Sequence, residues 1–364
     1  MQFVLRTAQF YEARSRSSAK SGPSLKQNKT VVKKTPPSGD GFACGDQYTV
    51  DVLVTYTPAA YKDNYGVAQN TLQCYLKSHP YYRFRLVDLD NDKRVQTFCQ
   101  QRIVYFRKHC AAAVYLQDHP ETDWMMVLDA DTGVVNPAHC IEEYIDDSKQ
   151  LIFYERFYNW EIMSGNYLVK NTAFGRDFLR QWANSEFSLP ESFHGYDNGV
   201  LQILLLETLM PENEPELEMC KKIWQEGSNY DTYMRYVICC KVALGGRRVW
   251  PKVTILRRAH GWAYDGVVTA ERWCPHTFMR HGWKRNSIEE SGWQSPFTRL
   301  VDESDCKPYQ DWPWRPELRV SCKQLQVVIK NGEQFYARLF PRLAHELPFL
   351  KQTDIGDCWP GCKH

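Results

Sequence analysis

Asp129 and Asp131 stand one residue apart and follow the uninterrupted apolar run of residues 124–128. The run is short and apolar throughout, which predicts a central strand that is buried on both faces. In open α/β sheets, ligands bind in the crevice beyond the carboxyl ends of the strands. We therefore expect both carboxylates to lie at a binding site.

Neighbouring carboxylates at the end of a strand repel each other unless a cation lies between them. Their hard oxygen atoms favour Mg²⁺ or Mn²⁺, and either ion also binds the two phosphates of a nucleotide diphosphate. A metal held there would stabilise a departing diphosphate. The alternative is a pair of turn or capping aspartates without a ligand, because isolated Asp-x-Asp sequences are common.

The rest of the chain predicts an alternation of strands and helices before and after this pair. Apolar and β-branched runs predict strands at residues 48–56, 83–89, 151–154, 166–169 and 249–256. Helical periodicity predicts helices at residues 68–76, 95–117, 174–183 and 199–209, whereas the acidic residues 211–218 predict a loop. The alternation predicts an α/β fold with a mostly parallel twisted sheet and flanking helices.

Composition divides the chain into three parts. Residues 1–45 are predicted to be a disordered tail or stalk, because residues 15–41 are rich in Ser, Lys, Pro, Gly and Asn. A glycosylation sequon at Asn28 is credible only if this tail is lumenal. Residues 46–290 are predicted to form the catalytic domain, and residues 291–364 a C-terminal extension of unknown fold that contains Trp, Pro and Cys.

A net charge of only +2 over 364 residues argues against a nucleic-acid-binding protein, which would usually be more basic. The 13 cysteines predict several disulfides in a lumenal or secreted protein, with at least one thiol left unpaired. Cys99 and Cys110 fall on the apolar face of the predicted helix 95–117, where we expect buried free thiols.

No apolar stretch approaches the roughly 20 residues of a membrane-spanning helix. The apolar segment within residues 1–6 is too short for a secretory signal, and polar residues follow it too early. Because the cysteines indicate the lumen and these residues offer no route there, we expect an incomplete N-terminus, and membrane anchoring only in that case. A cytosolic protein with reduced thiols is the alternative.

Four motifs follow one another along the chain: WMMVLDAD at residues 124–131, SGNYLVKN at 164–171, HGYDNG at 194–199 and HGWK at 281–284. Together they resemble a nematode-expanded family of uncharacterised function. That family is similar to the Golgi galactosyl- and mannosyltransferases of yeast, to the plant xyloglucan xylosyltransferases and, more remotely, to glycogenin. All of these are retaining glycosyltransferases. The resemblance covers about residues 48–290 and implies a GT-A-like nucleotide-diphospho-sugar transferase fold.

The resemblance also implies a metal site. It makes Asp129 a ligand shared between the metal and the ribose of the donor, and Asp131 a direct metal ligand. His281 would be the third protein ligand, and an imidazole beside carboxylates suits Mn²⁺ better than Mg²⁺. Lys284 would neutralise the departing phosphates as a point charge.

The donor sugar has its own implied contacts. By the same resemblance, Asp197 would orient the sugar, and the carbonyl oxygen of Asn198 would stabilise developing positive charge. The alternative is that both residues cap the predicted helix 199–209. Ser164 and Gly165 would form a small-residue turn that lets the backbone approach the sugar. Otherwise they are a plain turn that leads into a strand.

Other candidates stay open at this point. His260 and His276 are rivals of His281 for the ligand role. Some basic side chains on the predicted helix 95–117 could reach phosphates, or instead be solvated or paired with acids. Some tryptophans could stack on the acceptor or lie in the core. These are Arg107, Lys108 and His109, and Trp160, Trp262 and Trp283.

The implied activity is that of a metal-dependent hexosyl- or pentosyltransferase in the Golgi lumen. It would move a sugar from a nucleotide-diphosphate sugar, with UDP-sugars favoured, to a hydroxyl of a glycan or glycoprotein, with retention. An inverting enzyme would need a base, for which Glu155, Glu161 and Asp265 are unassigned. The alternatives are a catalytically silent relative that binds glycans or nucleotide sugars, and a metal-dependent phosphohydrolase.

Overall fold

The strands of the computed structural model form a six-stranded sheet and a three-stranded sheet. The structure describes residues 44, 47–58, 64–156, 159–285, 295–306, 312–352 and 354–362, so the predicted tail and the sequon at Asn28 lie outside the described residues. The strands in this part of the chain are β1 (Val50–Tyr56), β2 (Tyr82–Asp88), β3 (Trp124–Leu128), β4 (Gly133–Val134), β5 (Leu151–Tyr154), β6 (Tyr167–Lys170), β7 (Val253–Leu256), β8 (Ala263–Asp265) and β9 (Met279–His281).

The larger sheet has the order β2-β1-β3-β6-β5-β7. The strand β1 pairs in parallel with β2 and β3, and β5 pairs in parallel with β7. Only β6 of this sheet runs against its neighbours, β3 and β5. The predicted α/β architecture with a mostly parallel sheet and flanking helices is therefore confirmed.

The helices flank this sheet and carry side chains of the site described below. In chain order they are α1 (Gly66–Lys77), α2 (Lys93–Phe98), α3 (Val104–Asp118), α4 (Ala173–Asn184), α5 (Tyr196–Leu209), α6 (Glu214–Gln225), α7 (Tyr230–Leu244), α8 (Cys322–Leu339) and α9 (Pro341–Glu346). The prediction of a loop at residues 211–218 is wrong in its second half, because α6 begins there. A proline and two glutamates in its first turn suit the start of a helix, where the backbone dipole favours negative charge.

The predicted single helix at residues 95–117 is in fact two helices, α2 and α3. A disulfide joins Cys99 to Cys110, with 5.7 Å between their Cα atoms. One continuous helix would separate residues eleven apart by about 16 Å, so the chain must turn between them. The carboxylate of Glu186 accepts the backbone N–H groups of Arg102 and Ile103 at 2.9 and 3.1 Å, just before α3 begins. The prediction of two free thiols is therefore wrong as well.

The described residues contain several disulfides, as the cysteine count predicted. They are Cys44–Cys140, Cys74–Cys306, Cys99–Cys110, Cys220–Cys239, Cys274–Cys322 and Cys358–Cys362. Cys240 is a buried free thiol. Among the helices of the described residues, none has the length and apolar character needed to cross a bilayer.

Apolar side chains cover both faces of the larger sheet. Alternate residues of each strand point to opposite faces, so Leu53 and Val127 join one core and Val52 and Met126 the other. The C-terminal segment completes these cores rather than standing apart from them. The apolar side chains in and after α8 that pack into the first core are Ala337, Phe340, Leu343, Leu347 and Leu350. Those before α8 that pack into the second core are Phe297, Val301 and Trp312.

Candidate metal centre

The two sheets bring the aspartate pair and a histidine together. Asp129 directly follows β3, and its carbonyl oxygen accepts the N–H of Thr132 at 2.9 Å in a tight turn. The chain then enters β4, which pairs antiparallel with β9. The last residue of β9 is His281, and the N–H of Trp283 donates to the carbonyl oxygen of Asp131 at 2.9 Å. The fold thus joins residues that are 150 positions apart in the sequence.

The side chains of Asp129, Asp131 and His281 form a compact set of ligand atoms. One such atom from each residue lies within 4.8 Å of the others. The Nε2 atom of His281 is 3.6 Å from Oδ2 of Asp129 and 3.5 Å from Oδ1 of Asp131. The side chain of Asp129 is one-third exposed, so solvent reaches the set. Two carboxylates and one imidazole are a donor set that fits Mn²⁺.

The opposite nitrogen of His281 is held by a carboxylate. The register of β8 and β9 places Asp265 beside His281, and Oδ1 of Asp265 lies 2.9 Å from Nδ1. The guanidinium of Arg156 binds the same carboxylate at 3.0 Å. This contact leaves Nε2 facing the aspartate pair. Burial alone would lower the pKa of His281, but Asp131, Asp129 and Asp265 together raise its pKa to about 10.

Two ammonium groups flank the aspartate pair. Lys284 lies 3.2 Å from Oδ2 of Asp131, and the Asp131 charge raises the pKa of Lys284 above its ordinary value. Lys108 is buried, and its Nζ lies 2.9 Å from Oδ1 of Asp129 and 3.4 Å from Oδ2 of Asp197. Burial would raise the pKa of Asp129, but Lys108 and then His281 lower the pKa below its ordinary value.

The buried carboxylate of Asp197 lies in the first turn of α5 and points toward α3. Its Oδ2 atom is 3.2 Å from Nε2 of His109, whose other nitrogen is 2.9 Å from the hydroxyl of Tyr167. The imidazole stacks on Trp182 at 3.5 Å between ring centroids. Burial lowers the pKa of His109 to about 4, so the ring is neutral near pH 7. The alternative prediction that Asp197 caps its helix is wrong, since α5 has no side-chain cap.

A glycine leaves room for the aspartate pair. A Cβ atom on Gly165 would lie 2.0 Å from Oδ2 of Asp129, closer than any side-chain contact allows. The neighbouring side chain of Asn166 accepts the backbone N–H of Asp129 and the hydroxyl of Thr132, each at 3.0 Å. The segment after β5 therefore supports the turn that carries the pair.

The same segment contacts the start of α5. The carbonyl oxygen of the Asn198 side chain accepts the N–H of Ser164 at 3.4 Å. Gln202, one turn later, donates to the carbonyl oxygens of Asn198 and Ile162 at 2.9 and 3.1 Å. Ser164, Gly165, Asp197 and Asn198 thus lie near the three ligand candidates: Gly165 adjoins Asp129, and Lys108 joins Asp129 to Asp197.

A family model described as "Protein of unknown function, DUF273" matches residues 72–295, more than half of the chain. The chain belongs to this family. No curated protein matches it.

Three solved structures are similar to this DUF273 chain at low identity. A glycosyltransferase involved in the glycosylation of the major capsid of PBCV-1 is 13% identical, with 68% of this chain and 99% of that chain covered and a TM-score of 0.42. The galactosyltransferase LgtC in complex with donor and acceptor sugar analogs is 8% identical, with 77% and 95% covered and a TM-score of 0.26. An active-site mutant of LgtC is 9% identical, with the same coverage and TM-score. Likeness at this level says nothing about the reaction of the DUF273 chain.

Several sequence candidates lie away from the centre of the DUF273 site. Trp160, Trp262 and Trp283 are buried in the cores, so none offers an exposed ring face to a ligand. Arg107 donates to the carbonyl oxygen of Gln101 at 2.7 Å, outside the cleft. His260 and His276 are not members of any cluster of possible metal ligands among the described residues.

The acids considered as bases are all engaged in ion pairs. Glu155 binds Lys241 at 2.6 Å and Arg248 at 2.8 Å. Glu161 binds Arg156 at 3.1 Å and accepts the hydroxyl of Tyr233 at 2.6 Å. Together with the pairing of Asp265 described above, this leaves none of the three as an unpaired carboxylate.

Proposed function

We propose that this DUF273 protein is a metal-dependent glycosyltransferase. It would transfer a hexosyl or pentosyl group from a nucleotide-diphosphate sugar, with UDP-sugars favoured, to a hydroxyl of a glycan or glycoprotein. The observation that supports this most is the convergence of Asp129, Asp131 and His281 at a strand end, beside the ammonium group of Lys284. Such a centre suits a divalent cation together with the diphosphate that it neutralises.

Asp129, Asp131 and His281 would hold Mn²⁺, or Mg²⁺ in its place. The bound ion would stabilise the negative charge that develops on the leaving diphosphate. Lys284 is more than one-third exposed and lies on the outer side of Asp131, so its charge is available to phosphate oxygens. As a point charge, this ammonium group attracts phosphate oxygens without requiring one fixed geometry.

The other ammonium group has a different role, because it is buried. Lys108 bridges Asp129 and Asp197 and keeps both carboxylates ionised in a site that would otherwise favour their neutral forms. The neutral ring of His109 also contacts Asp197, with its Nε2 atom 3.2 Å from Oδ2 of the carboxylate. Asp197 would then accept hydrogen bonds from hydroxyls of the donor sugar, with the amide of Asn198 beside it.

Retention of the anomeric configuration fits the ion pairs around the cleft. An inverting transferase needs a carboxylate or similar base that can take the proton of the acceptor. Glu155, Glu161 and Asp265 are each held in ion pairs by Arg or Lys side chains. Burial would raise the pKa of Glu155 and Asp265, but their basic partners lower it. We expect proton NMR of the first product to give the donor's anomeric configuration, and an inverted linkage would contradict this part of the proposal.

The disulfides favour an oxidising compartment for the reaction, and we propose the Golgi lumen. A metal-dependent phosphohydrolase is less suited to this site, because a second metal would need further carboxylates. The nearest other acids, Asp265 and Asp197, face Nδ1 of His281 and Nζ of Lys108. Neither is oriented toward a second ion.

Calorimetric titration of the protein with UDP and with GDP, each with and without Mn²⁺, tests the proposal. We expect binding of one nucleotide that requires Mn²⁺ and is lost in Asp131→Asn. Asp147→Asn is the matched control, because Asp147 is an exposed aspartate that pairs with Lys170. Binding without metal dependence, or none in the wild type, would contradict the proposal. Phosphate release without an acceptor, lost in Asp131→Asn, would indicate the hydrolase instead.

A further inference from the structure

Two exposed tyrosines from different helices meet at the edge of the candidate site. Tyr105 is the second residue of α3 and Tyr196 is the first residue of α5. Their side chains are 49% and 48% exposed, although their ring centroids are only 5.4 Å apart with 50° between the ring planes. Single exposed aromatic residues are ordinary. A pair that forms a surface of its own, next to buried catalytic candidates, requires an explanation.

The backbone of Tyr196 is held in an unfavourable conformation. Its φ angle is 51°, in the left-handed region that bulky residues avoid. The preceding Gly195 also has a positive φ of 69°, and a Cβ there would lie 2.3 Å from the ring of Tyr233. Tight packing on this side prevents the turn from relaxing. Backbone strain of this kind persists mainly where a side chain must point in a particular direction for function.

Neighbouring contacts also hold the ring of Tyr196 in place. Nδ1 of His194 accepts the backbone N–H of Tyr196 at 3.0 Å, and the two rings meet edge to face at 4.8 Å between centroids. The ring is therefore presented to solvent in one orientation. A preorganised aromatic surface loses little entropy when a ligand settles on it.

The pair borders the part of the cleft that the proposed function gives to the donor sugar. Tyr105 lies three residues before Lys108 on α3, so both side chains lie on one face of the helix. Tyr196 immediately precedes Asp197. Lys284, at the phosphate end, lies beside the other carboxylate of the metal centre, Asp131. The acceptor hydroxyl must reach the donor sugar, so an exposed surface beside Asp197 and Lys108 is a position open to the acceptor.

We propose that Tyr105 and Tyr196 form an acceptor platform on which a pyranose ring of a glycan acceptor stacks. This inference rests on the proposed function, since the donor must occupy the metal centre. A tyrosine suits a sugar because its ring contacts the apolar C–H face while its hydroxyl meets the sugar hydroxyls. With this platform, the acceptor hydroxyl belongs to a saccharide and not to a protein side chain.

Binding to immobilised oligosaccharides that end in galactose, glucose, mannose, xylose or N-acetylglucosamine tests the platform, in the presence of Mn²⁺ and UDP. We expect the wild type to bind at least one of them, and Tyr105→Ala and Tyr196→Ala each to weaken that binding about tenfold. Tyr105→Phe keeps the ring and should bind within about twofold of the wild type. Tyr81→Ala is the matched control, because this tyrosine is also half-exposed but precedes β2, away from the carboxyl ends of the strands.

Two results would overturn the platform while the proposed function stands. One is Mn²⁺-dependent UDP binding without binding of any of the oligosaccharides by the wild type. The other is a tenfold loss of UDP affinity in both alanine variants with glycan binding unchanged, which would assign the rings to the nucleobase. Tyrosine-dependent glycan binding without any metal-dependent nucleotide binding would overturn the transferase and with it the acceptor role, and would leave the two rings as a glycan-binding surface only.

Discussion

Asp265 offers the sharpest test of how the metal centre is built, because it contacts the candidate ligand His281 but not the aspartate pair. We predict that Asp265→Asn lowers Mn²⁺ affinity. The asparagine side chain has the same shape and can still accept a hydrogen bond from Nδ1 of His281, but it lacks the charge that makes the imidazole a stronger ligand. It also leaves Arg156 with one carboxylate partner fewer.

The size of the effect follows from this geometry. Loss of a partner of a metal-bound histidine usually costs 10- to 100-fold in metal affinity, or about 1.4–2.7 kcal/mol. Because asparagine keeps the acceptor atom, we expect a loss near tenfold for Asp265→Asn. Asp265→Ala removes that atom too, and for this variant we expect about a hundredfold loss.

Titration of Mn²⁺, followed by the electron paramagnetic resonance of the free ion, measures this affinity without any substrate. Asp51→Asn is the matched control, because Asp51 is also a buried aspartate paired with an arginine, at 3.0 Å from Nη2 of Arg83. This control should lose stability but not Mn²⁺ affinity. If Asp265→Asn binds Mn²⁺ as the wild type does while Asp131→Asn does not, Asp265 does not position His281.

Three further predictions concern the same site and the C-terminal helix α8. Gly165→Ala should weaken the free energy of Mn²⁺ binding by about 1–3 kcal/mol, because the new Cβ displaces the carboxylate of Asp129. Unchanged Mn²⁺ affinity in a variant with an unchanged circular dichroism spectrum would contradict this. Lys108→Met should move the loss of Mn²⁺ affinity on acidification to higher pH, because the carboxylate of Asp129 takes up a proton at higher pH once the ammonium group is gone. Titrations at pH 5, 6 and 7 measure this shift, and identical pH profiles would refute it. Burial raises the pKa of Glu333 to about 7 despite the contact with Arg258, so its contribution to stability is complete below about pH 4.5 and is lost as the pH rises through 7. Relative to Glu333→Gln, the wild type should lose up to about 3 kcal/mol of unfolding free energy over that window; urea unfolding at a series of pH values measures it, and a constant difference would rule the reasoning out.

The sequence predicted those parts of the fold in which a local pattern decides the structure. The apolar run at residues 124–128 is the buried strand β3, and the aspartates that follow it do lie at its carboxyl end. The pattern failed at residues 95–117, because apolar spacing is the same for one helix and for two helices joined by a disulfide. It also failed at α6, where acidic residues that start a helix resemble those of a loop.

Parts of the site were harder to find because they depend on contacts between distant elements. Lysine is mostly exposed in proteins, so nothing in the sequence indicates that Lys108 is buried between two carboxylates. Asp265 meets His281 only through the register of β8 and β9. The left-handed backbone of Tyr196 has no sequence signal, since bulky residues rarely adopt it.

The stated resemblance is confirmed in its coarser parts. The chain does belong to a family of uncharacterised function. The expansion in nematodes stays a prediction. So do the roles of the site residues, the identity of the metal, the domain limits and the choice of sugar.

The electrostatics of the centre link metal binding to nucleotide binding. The carboxylates of Asp129 and Asp131 both face the space beside Nε2 of His281, and without a metal a proton on that imidazole is what holds them together. A diphosphate that binds beside Lys284 in this form also lies next to the two carboxylates, which repel it. A divalent cation in place of the single proton adds one positive charge at that point, which balances the two carboxylates and removes their repulsion of the diphosphate. We therefore expect nucleotide binding to depend on the metal because of where these three side chains lie, whichever base and sugar the donor carries.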